Sequence, residues 1–285
     1  MNISIVIPAK NEEGGLSRLL PVLREKFQAA EVIVVNDGST DRTSEVAASF
    51  GARVLDNPYS MGNGAAIKQG AREASGDVIV FMDGDGQHDP CDIPRLLEEL
   101  KAGYLMVVGS RDRHGQASFG RRLANGFYNR LASWMTGFAV DDLTSGFRAV
   151  RRLEFLEFLH LLPNGFSYPT TSTMAFFRSA YPVAYVPVNV SRRVGTQSHI
   201  RPIKDGVRFL LIIFKIATLY SPLKLFVPVA AVFFLTGLGY YLYTYITAER
   251  FTNMSLLLFS AAVIVFLIGL VSEQITSLVY SRSRS

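Results

Sequence analysis

Runs of consecutive apolar residues alternate, through the first part of this chain, with stretches in which apolar side chains recur every three or four positions. Ile3 to Ile7, Val32 to Val35, Val78 to Met82 and Leu105 to Val108 are runs of the first kind, the pattern of strands buried on both faces. Leu16, Leu19, Leu20 and Leu23 fall on one helical face, positions 65–74 and 93–101 read as further helices, and Val54-Leu55 begins a short extended piece. Such alternation with short links predicts an α/β fold, a mostly parallel sheet with helices on both faces. Beyond Gly109 the pattern changes. A polar loop from Ser110 to Gly115 leads to an amphipathic helix over Phe119 to Met135 that opens with Arg121-Arg122. Asp141 to Arg148 is turn-rich and polar, Ser191 to Thr196 is a basic loop, and Val183 to Val190 is extended but interrupted by Pro187, which predicts an edge strand.

Towards the C-terminus the pattern becomes that of a membrane protein. From Ile203 to Tyr220, Val207, Leu210, Leu211, Phe214 and Thr218 share one face, with Lys204, Arg208 and Lys215 spaced among them. An amphipathic helix over 201–222, lying in the membrane interface, is expected. Leu225 to Ile246 is a run of 22 residues without a charge, roughly 33 Å as a helix against a bilayer core of about 30 Å. Ser255 to Ser272 is a second uncharged run, of 18 residues. Together they predict a transmembrane hairpin within 225–280, with spans near 225–246 and 255–276. Lys215, Lys224, Arg282 and Arg284 flank its outer ends, against Arg250 in the connector. The positive-inside rule then places both termini and the α/β domain over 1–200 in the cytoplasm, at the inner (plasma) membrane. Met1-Asn2 runs straight into a strand without a basic leader, which agrees with that placement.

Composition adds three bounds. Hydrophobic residues make up 49% of 285, high for a soluble domain, and the excess lies after Lys224. The single cysteine, Cys91, excludes an internal disulfide and a multi-cysteine zinc site. A formal charge of +5 suits an anionic partner. A basic stripe with interleaved aromatics is not evident, so nucleic acid is not expected.

The candidate chemistry sits where the run Val78 to Met82 stops abruptly in Asp83-Gly84-Asp85-Gly86-Gln87-His88. Once the chain turns at Gly84, both carboxylates can point to one spot beyond the carboxyl end of the strand, where open α/β sheets bind ligands. Two carboxylates there repel unless a cation lies between them, and hard oxygen donors suit Mg or Mn, whose shell is completed by water and substrate phosphates. Standing alone, such a run is more often a solvated turn. An EF-hand is excluded, because its sixth position is His88 and its twelfth Pro94. Gly62-Asn63-Gly64 lacks the third glycine of a dinucleotide fingerprint, and no Walker or His-Glu-x-x-His sequence occurs.

Six segments in order, Ile7 to Glu12, Val35 to Asp41, Asp83 to His88, Gly109 to Arg111, Thr144 to Arg148 and the loop at Arg192, resemble the family-2 glycosyltransferases of GT-A fold. More narrowly the chain is similar to the polyprenyl-phosphate sugar transferases, the group of dolichol-phosphate mannose synthase. The resemblance implies an inverting enzyme that moves one sugar from a UDP- or GDP-sugar to undecaprenyl or dolichyl phosphate at the bilayer. It implies that Pro8, Ala9, Asn11, Glu12, Asp37, Asp83, Gly84 and Asp85 bind the nucleotide, and that Asp83, Asp85 and Gln87 hold Mg or Mn. Arg111, Arg121, Arg122 and Arg192 would meet phosphates, with Asp85, Arg111 and Arg121 closest to the chemistry. The sequence departs from the family at Asn63, where Lys is common, and at Gly195 to His199, which lacks a Lys. A phosphate acceptor is already largely ionised near neutral pH, its second pKa being about 6. No strong general base is required, although Asp142 or Asp85 could assist. A processive polysaccharide synthase would carry Gln-x-x-Arg-Trp, which the surroundings of Trp134 do not match, and a non-catalytic scaffold would not need both Asp83 and Asp85. A homo-oligomer is compatible with the sequence and not required by it.

Overall fold

Ile5, Val6 and Ile7 are each fully buried, although successive strand residues point to opposite faces. The sheet they belong to is therefore covered on both sides. The computed structural model describes residues 1–111, 119–165, 167–189, 214, 218 and 220–281, and for 119–125, 127 and 281 the backbone alone. It divides into two units, Met1–Arg201 and Pro202–Ser285.

In the first unit, seven strands run β1 Ile3–Ala9, β2 Glu31–Asn36, β3 Arg53–Asp56, β4 Val78–Phe81, β5 Met106–Arg111, β6 Arg148–Arg151 and β7 Val183–Val188. Their order across the sheet is β3-β2-β1-β4-β6-β5-β7. Every neighbouring pair is parallel except those of β6, which is antiparallel to β4 and β5. The expected edge strand is β7, paired to β5 alone, with Pro187 opposite Ser110. The strand β6 was not foreseen: the polar turn expected up to Arg148 ends there, and the chain re-enters the sheet.

The α-helices among the described residues of this unit are α1 (Glu13–Lys26), α2 (Thr43–Ser49), α3 (Asn63–Glu73), α4 (Ile93–Lys101), α5 (Phe119–Thr136), α6 (Arg152–Glu157) and α7 (Tyr168–Arg178). Leu16, Leu19, Leu20 and Leu23 of α1 and Ile93, Leu96, Leu97 and Leu100 of α4 share one core with Ile5, Ile7, Val34, Val78 and Val80, the spacing of an amphipathic helix lying on a sheet. The opposite face carries α3, where Gly70 sits against Val6 and Val35. It also carries α6 and α7, where Phe81 meets the rings of Phe155 and Tyr168. Successive strands β1, β2 and β3 run outward from β1, and the chain then crosses to β4 on the other side of β1. That reversal opens a crevice beyond the carboxyl ends of β1 and β4, the topological switch point at which such sheets bind ligands.

In the second unit, helices Pro222–Ala248 and Asn253–Ser281 form a hairpin whose members are long and apolar enough to cross a membrane. Small residues line their contact: Gly237 packs on Leu258 and Phe259, and Gly269 on Phe226, as in helix pairs that associate in lipid. Large side chains such as Val232, Leu235, Leu257 and Ile264 are exposed. Glu273 accepts a hydrogen bond from Leu223 N at 3.4 Å, satisfying one of the open amides at the start of the first helix. Of the amphipathic stretch expected over 203–220, all but 214, 218 and 220 lie outside the described residues.

Candidate active site

Asp83 follows β4 at the switch point. The loop it opens is pressed against β1 and the first turn of α1. A methyl group at Gly15 would lie 2.1 Å from the carbonyl oxygen of Gly84, so only glycine lets α1 approach so closely. Gly84 itself sits over Ile7, Pro8 and Ala9. Gly86 has φ +70°, and Gln87 N donates to Asp85 Oδ1 at 3.1 Å, closing the loop as an Asx turn. The fold therefore brings Pro8, Ala9, Asp83, Gly84, Asp85 and Gln87 to one crevice.

Asp37, at the end of β2, is next to them through Asp37 N to Ala9 O at 2.9 Å. The residue is 4% exposed, and its carboxylate accepts from Asn57 Nδ2 at 3.1 Å, Ser60 Oγ at 2.8 Å, Met61 N at 2.7 Å and Gly62 N at 2.9 Å. Burial pushes this carboxyl up, but the four donors outweigh it and hold it below the usual range. The residue thus fixes the loop that leads into α3. Asn11, in left-handed backbone with φ +55°, receives Thr40 N on Oδ1 at 2.8 Å and donates its own N–H to Ser39 Oγ at 2.9 Å. Glu12 N donates to Thr43 Oγ1 at 3.0 Å. These bonds tie the loop after β1 to the loop after β2, so Asn11 and Glu12 share the rim with Asp37.

Opposite stands Arg111, the last residue of β5. Its Nε and Nη2 donate to the two oxygens of Asp142 at 2.7 and 2.9 Å, and Nη2 also reaches Thr144 Oγ1 at 2.5 Å. Burial works against both charges, but the pairing prevails, raising the arginine and lowering the carboxyl. Asp142 Oδ1 further accepts Thr144 N and Ser145 N. His88 is buried, stacked on Phe147 at 5.0 Å, with Nε2 3.8 Å from Asp83 Oδ2. Arg121 and Arg122 lie on α5, where only the backbone is described, and Arg192 lies outside the described residues.

Comparison with known proteins decides the family. The model of glycosyl transferase family 2 matches residues 4–181, which is more than half of the chain. The chain belongs to glycosyl transferase family 2. This family-2 glycosyltransferase also matches the GtrB C-terminal hairpin over residues 221–278. It is 30% identical over 246 residues to Glycosyltransferase AglJ of Haloferax volcanii, covering 85% of this chain and 80% of that protein. It is 35% identical over 182 residues to the dolichol-phosphate mannosyltransferase of Pyrococcus furiosus, and 33% identical over 189 residues to the undecaprenyl-phosphate 4-deoxy-4-formamido-L-arabinose transferase of Pseudomonas paraeruginosa. The matched region spans 50% and 55% of these last two proteins, and 58% and 59% of this chain. Among solved structures, glucosyl-3-phosphoglycerate synthase of Mycobacterium tuberculosis, crystallised with Mn2+, UDP and glucosyl-3-phosphoglycerate, superimposes with a TM-score of 0.59 at 24% identity. The overlap covers 75% of this chain and 78% of that one. The same enzyme with Mg2+ and UDP gives 0.59 at 24% identity over 74% and 79%. These structures share the GT-A-like fold.

The donor set of this glycosyltransferase suits a divalent ion held jointly with a substrate. Among the described residues no three His, Cys, Asp or Glu enclose a metal position. Two carboxylates one residue apart, with the Gln87 amide in the same turn, are hard oxygen donors of the kind that Mg and Mn take alongside phosphate and water. Sequence reasoning missed Asn57, Ser60, Gly146, Arg148 and Tyr168. Arg148 is fully buried and donates to Pro169 O, Ser172 Oγ, Thr173 Oγ1 and Ser145 O. A hydropathy pattern gives no signal for such an arginine; its place in Thr144 to Arg148 was the available clue.

Proposed function

We propose that the enzyme transfers a single sugar, with inversion, from a nucleoside-diphosphate sugar to a polyprenyl phosphate at the cytoplasmic face of a membrane. The observation that carries this reading is the Asp83–Asp85 pair at the β1/β4 switch point, in a chain that ends in a hairpin of span length. Pro8, Ala9, Asn11, Glu12 and Asp37 form the rim against which base and ribose would rest. Asp83, Asp85 and Gln87 would hold Mg or Mn, which supplies positive charge for the departing diphosphate. Arg111, kept in one orientation by Asp142, is a fixed cation across the crevice, and Arg121, Arg122 and Arg192 supply further cations for donor or acceptor phosphate. The acceptor oxygen forms a bond to the anomeric carbon as the bond from that carbon to the diphosphate oxygen breaks. The electron pair leaves with the nucleoside diphosphate. Because the acceptor phosphate is ionised near neutral pH, no side chain need remove a proton.

The similarity to transferases named for dolichol and undecaprenyl phosphate supports this acceptor class. The test is to incubate membranes containing the protein with labelled UDP- and GDP-sugars, Mg or Mn, and polyprenyl phosphate, and then extract the lipid. Label in a lipid that releases one sugar on mild acid is expected. Label in polymer would favour a processive synthase, and no transfer with any donor would favour a nucleotide-sugar-binding scaffold.

A further inference from the structure

The one antiparallel strand of the sheet has a consequence for Asp83. In the β4–β6 ladder Val78 pairs with Arg151, Ile79 with Val150, Val80 with Ala149 and Phe81 with Arg148. Carried two residues further, that register sets Asp83 opposite Gly146. Directly opposed residues bring their Cβ atoms within about 4.5–5.5 Å, near enough for the Asp83 carboxylate to reach over residue 146. A Cβ on Gly146 would stand 2.9 Å from Asp83 Oδ2 and 3.2 Å from Oδ1. The nearest obstacles to a methyl group at 146 are these carboxylate oxygens, with the carboxyl carbon of Asp83 next at 3.4 Å.

Gly146 is itself held from behind. Tyr168 Oη donates to its carbonyl at 3.3 Å, Arg148 Nη2 donates to the preceding Ser145 O, and Asp142 Oδ1 receives Ser145 N at 3.1 Å. The following residue, Phe147, is stacked on His88. The arginine is anchored in turn to the first turns of α7. Residue 146 therefore cannot readily retreat, whereas the Asp83 side chain can rotate. We propose that Gly146 is a positioning residue: the absence of its side chain lets Asp83 occupy the rotamer in which its carboxylate faces the crevice, and so sets the affinity for the divalent ion of a nucleoside-diphosphate complex. This rests on the donor-site reading above. Any side chain at 146 turns the Asp83 carboxylate aside and leaves the sheet in place.

The experiment measures Mn2+ binding by electron paramagnetic resonance on the full chain in detergent, with saturating UDP or GDP, beside thermal unfolding. Gly146→Ala is expected to keep the wild-type melting temperature and to weaken Mn2+ binding by about 10–100-fold, the usual effect of disturbing a group that orients a ligand. Gly126→Ala, where a methyl group meets nothing within 4 Å, is expected to bind as wild type. Asp83→Asn with Gly146→Ala should bind no more weakly than Asp83→Asn alone, because both changes act on one carboxylate. If Gly146→Ala lowers the melting temperature, Asp83→Ala in the same chain must restore it to that of Asp83→Ala alone; a persistent drop would mean that 146 holds something else. Wild-type Mn2+ affinity in Gly146→Ala, with Asp83→Asn impaired, overturns this proposal and spares the donor-site reading. No Mn2+ binding by the wild type with either nucleotide overturns both.

Discussion

Arg111 and Asp142 face one another at the ends of β5 and of the turn before β6, joined by two side-chain hydrogen bonds of 2.7 and 2.9 Å. Asp142 is almost fully buried, and Arg111 keeps 31% of its side-chain surface exposed. The pair holds the arginine in place, and the Arg111 hydrogen bonds and charge outweigh burial and keep the Asp142 carboxyl below the usual range. Asp142→Ala is expected to lower stability towards the lower end of the roughly 3–5 kcal/mol seen when a buried pair loses one partner. It should also reduce kcat/KM, since Arg111 then has no fixed direction. Melting curves and initial rates check this; unchanged rates would show that Arg111 does not meet a phosphate.

Acid should weaken the catalytic unit through named groups. Asp37 and Asp142 have burial raising their pKa values and hydrogen bonds, or the Arg111 charge, lowering them further, so the net shift of each is downward. Asp41, receiving Thr43 N and Glu13 N, is shifted the same way against its own desolvation. A depressed folded pKa means that the contribution is complete above the unfolded value of about 3.9 and is lost as pH falls through the folded one. Melting temperature is expected to be insensitive to these groups near neutrality and to fall below about pH 4. In Asp37→Asn the neutral-pH melting temperature should drop and the acid limb should flatten. A limb as steep as wild type would remove Asp37 from the account.

The readable parts of this chain were those in which one residue type does one job. Val78 to Met82 had to be a buried strand, and two aspartates at its end had to leave the core, so the crevice could be located from sequence. The strand β6 escaped because Arg148-Ala149-Val150-Arg151 has a charge at each end. The structure buries Arg148 by giving its guanidinium neutral oxygens from α7 and Ser145, a tertiary arrangement with no local signal. Helix α7 escaped for a related reason. Its Tyr-Pro-Thr-Thr-Ser-Thr start is poor in helix formers, yet Tyr168 to Phe177 are all buried, so packing overrides propensity. The partners of Asp37 lie at Asn57, Ser60, Met61 and Gly62, beyond β3, where only the fold makes them neighbours.

Removing one charge from the carboxylate pair should separate folding from chemistry. Asp85→Asn is expected to retain the wild-type melting temperature and membrane insertion and to lose sugar transfer by at least about 100-fold, the scale of a lost electrostatic contact in the transition state. Excess chelator should silence the wild type, with Mg or Mn restoring it. Turnover that persists in chelator would rule out the metal-assisted reading.

Arg192 belongs to the loop expected to meet the acceptor. Arg192→Ala should raise the KM for polyprenyl phosphate by about 10-fold or more, as for loss of a charge-assisted bond of about 1.5–3 kcal/mol, with donor binding little changed. Initial rates against each substrate decide it. A raised donor KM with an unchanged acceptor KM would move this loop to the nucleotide side.

The hairpin carries a topological prediction. Its helices Pro222–Ala248 and Asn253–Ser281 leave only a short connector holding Glu249 and Arg250, while Lys224 stands in the first turn of the first helix and Arg282 and Arg284 follow the second in the sequence. Cations near span ends are retained on the cytoplasmic side, so residue 250 should face away from the cytoplasm and residue 284 towards it. Cys91 is exposed and would also react once cells are permeabilised, which makes Cys91→Ser the necessary background. In that background Arg250→Cys should be modified by an impermeant maleimide added to intact cells, and Arg284→Cys only after permeabilisation. A hairpin of two spans returns the chain to the side from which it entered, so the catalytic unit should share the compartment of residue 284. Labelling of residue 284 from outside would reverse the hairpin, and with it the face of the membrane at which transfer takes place.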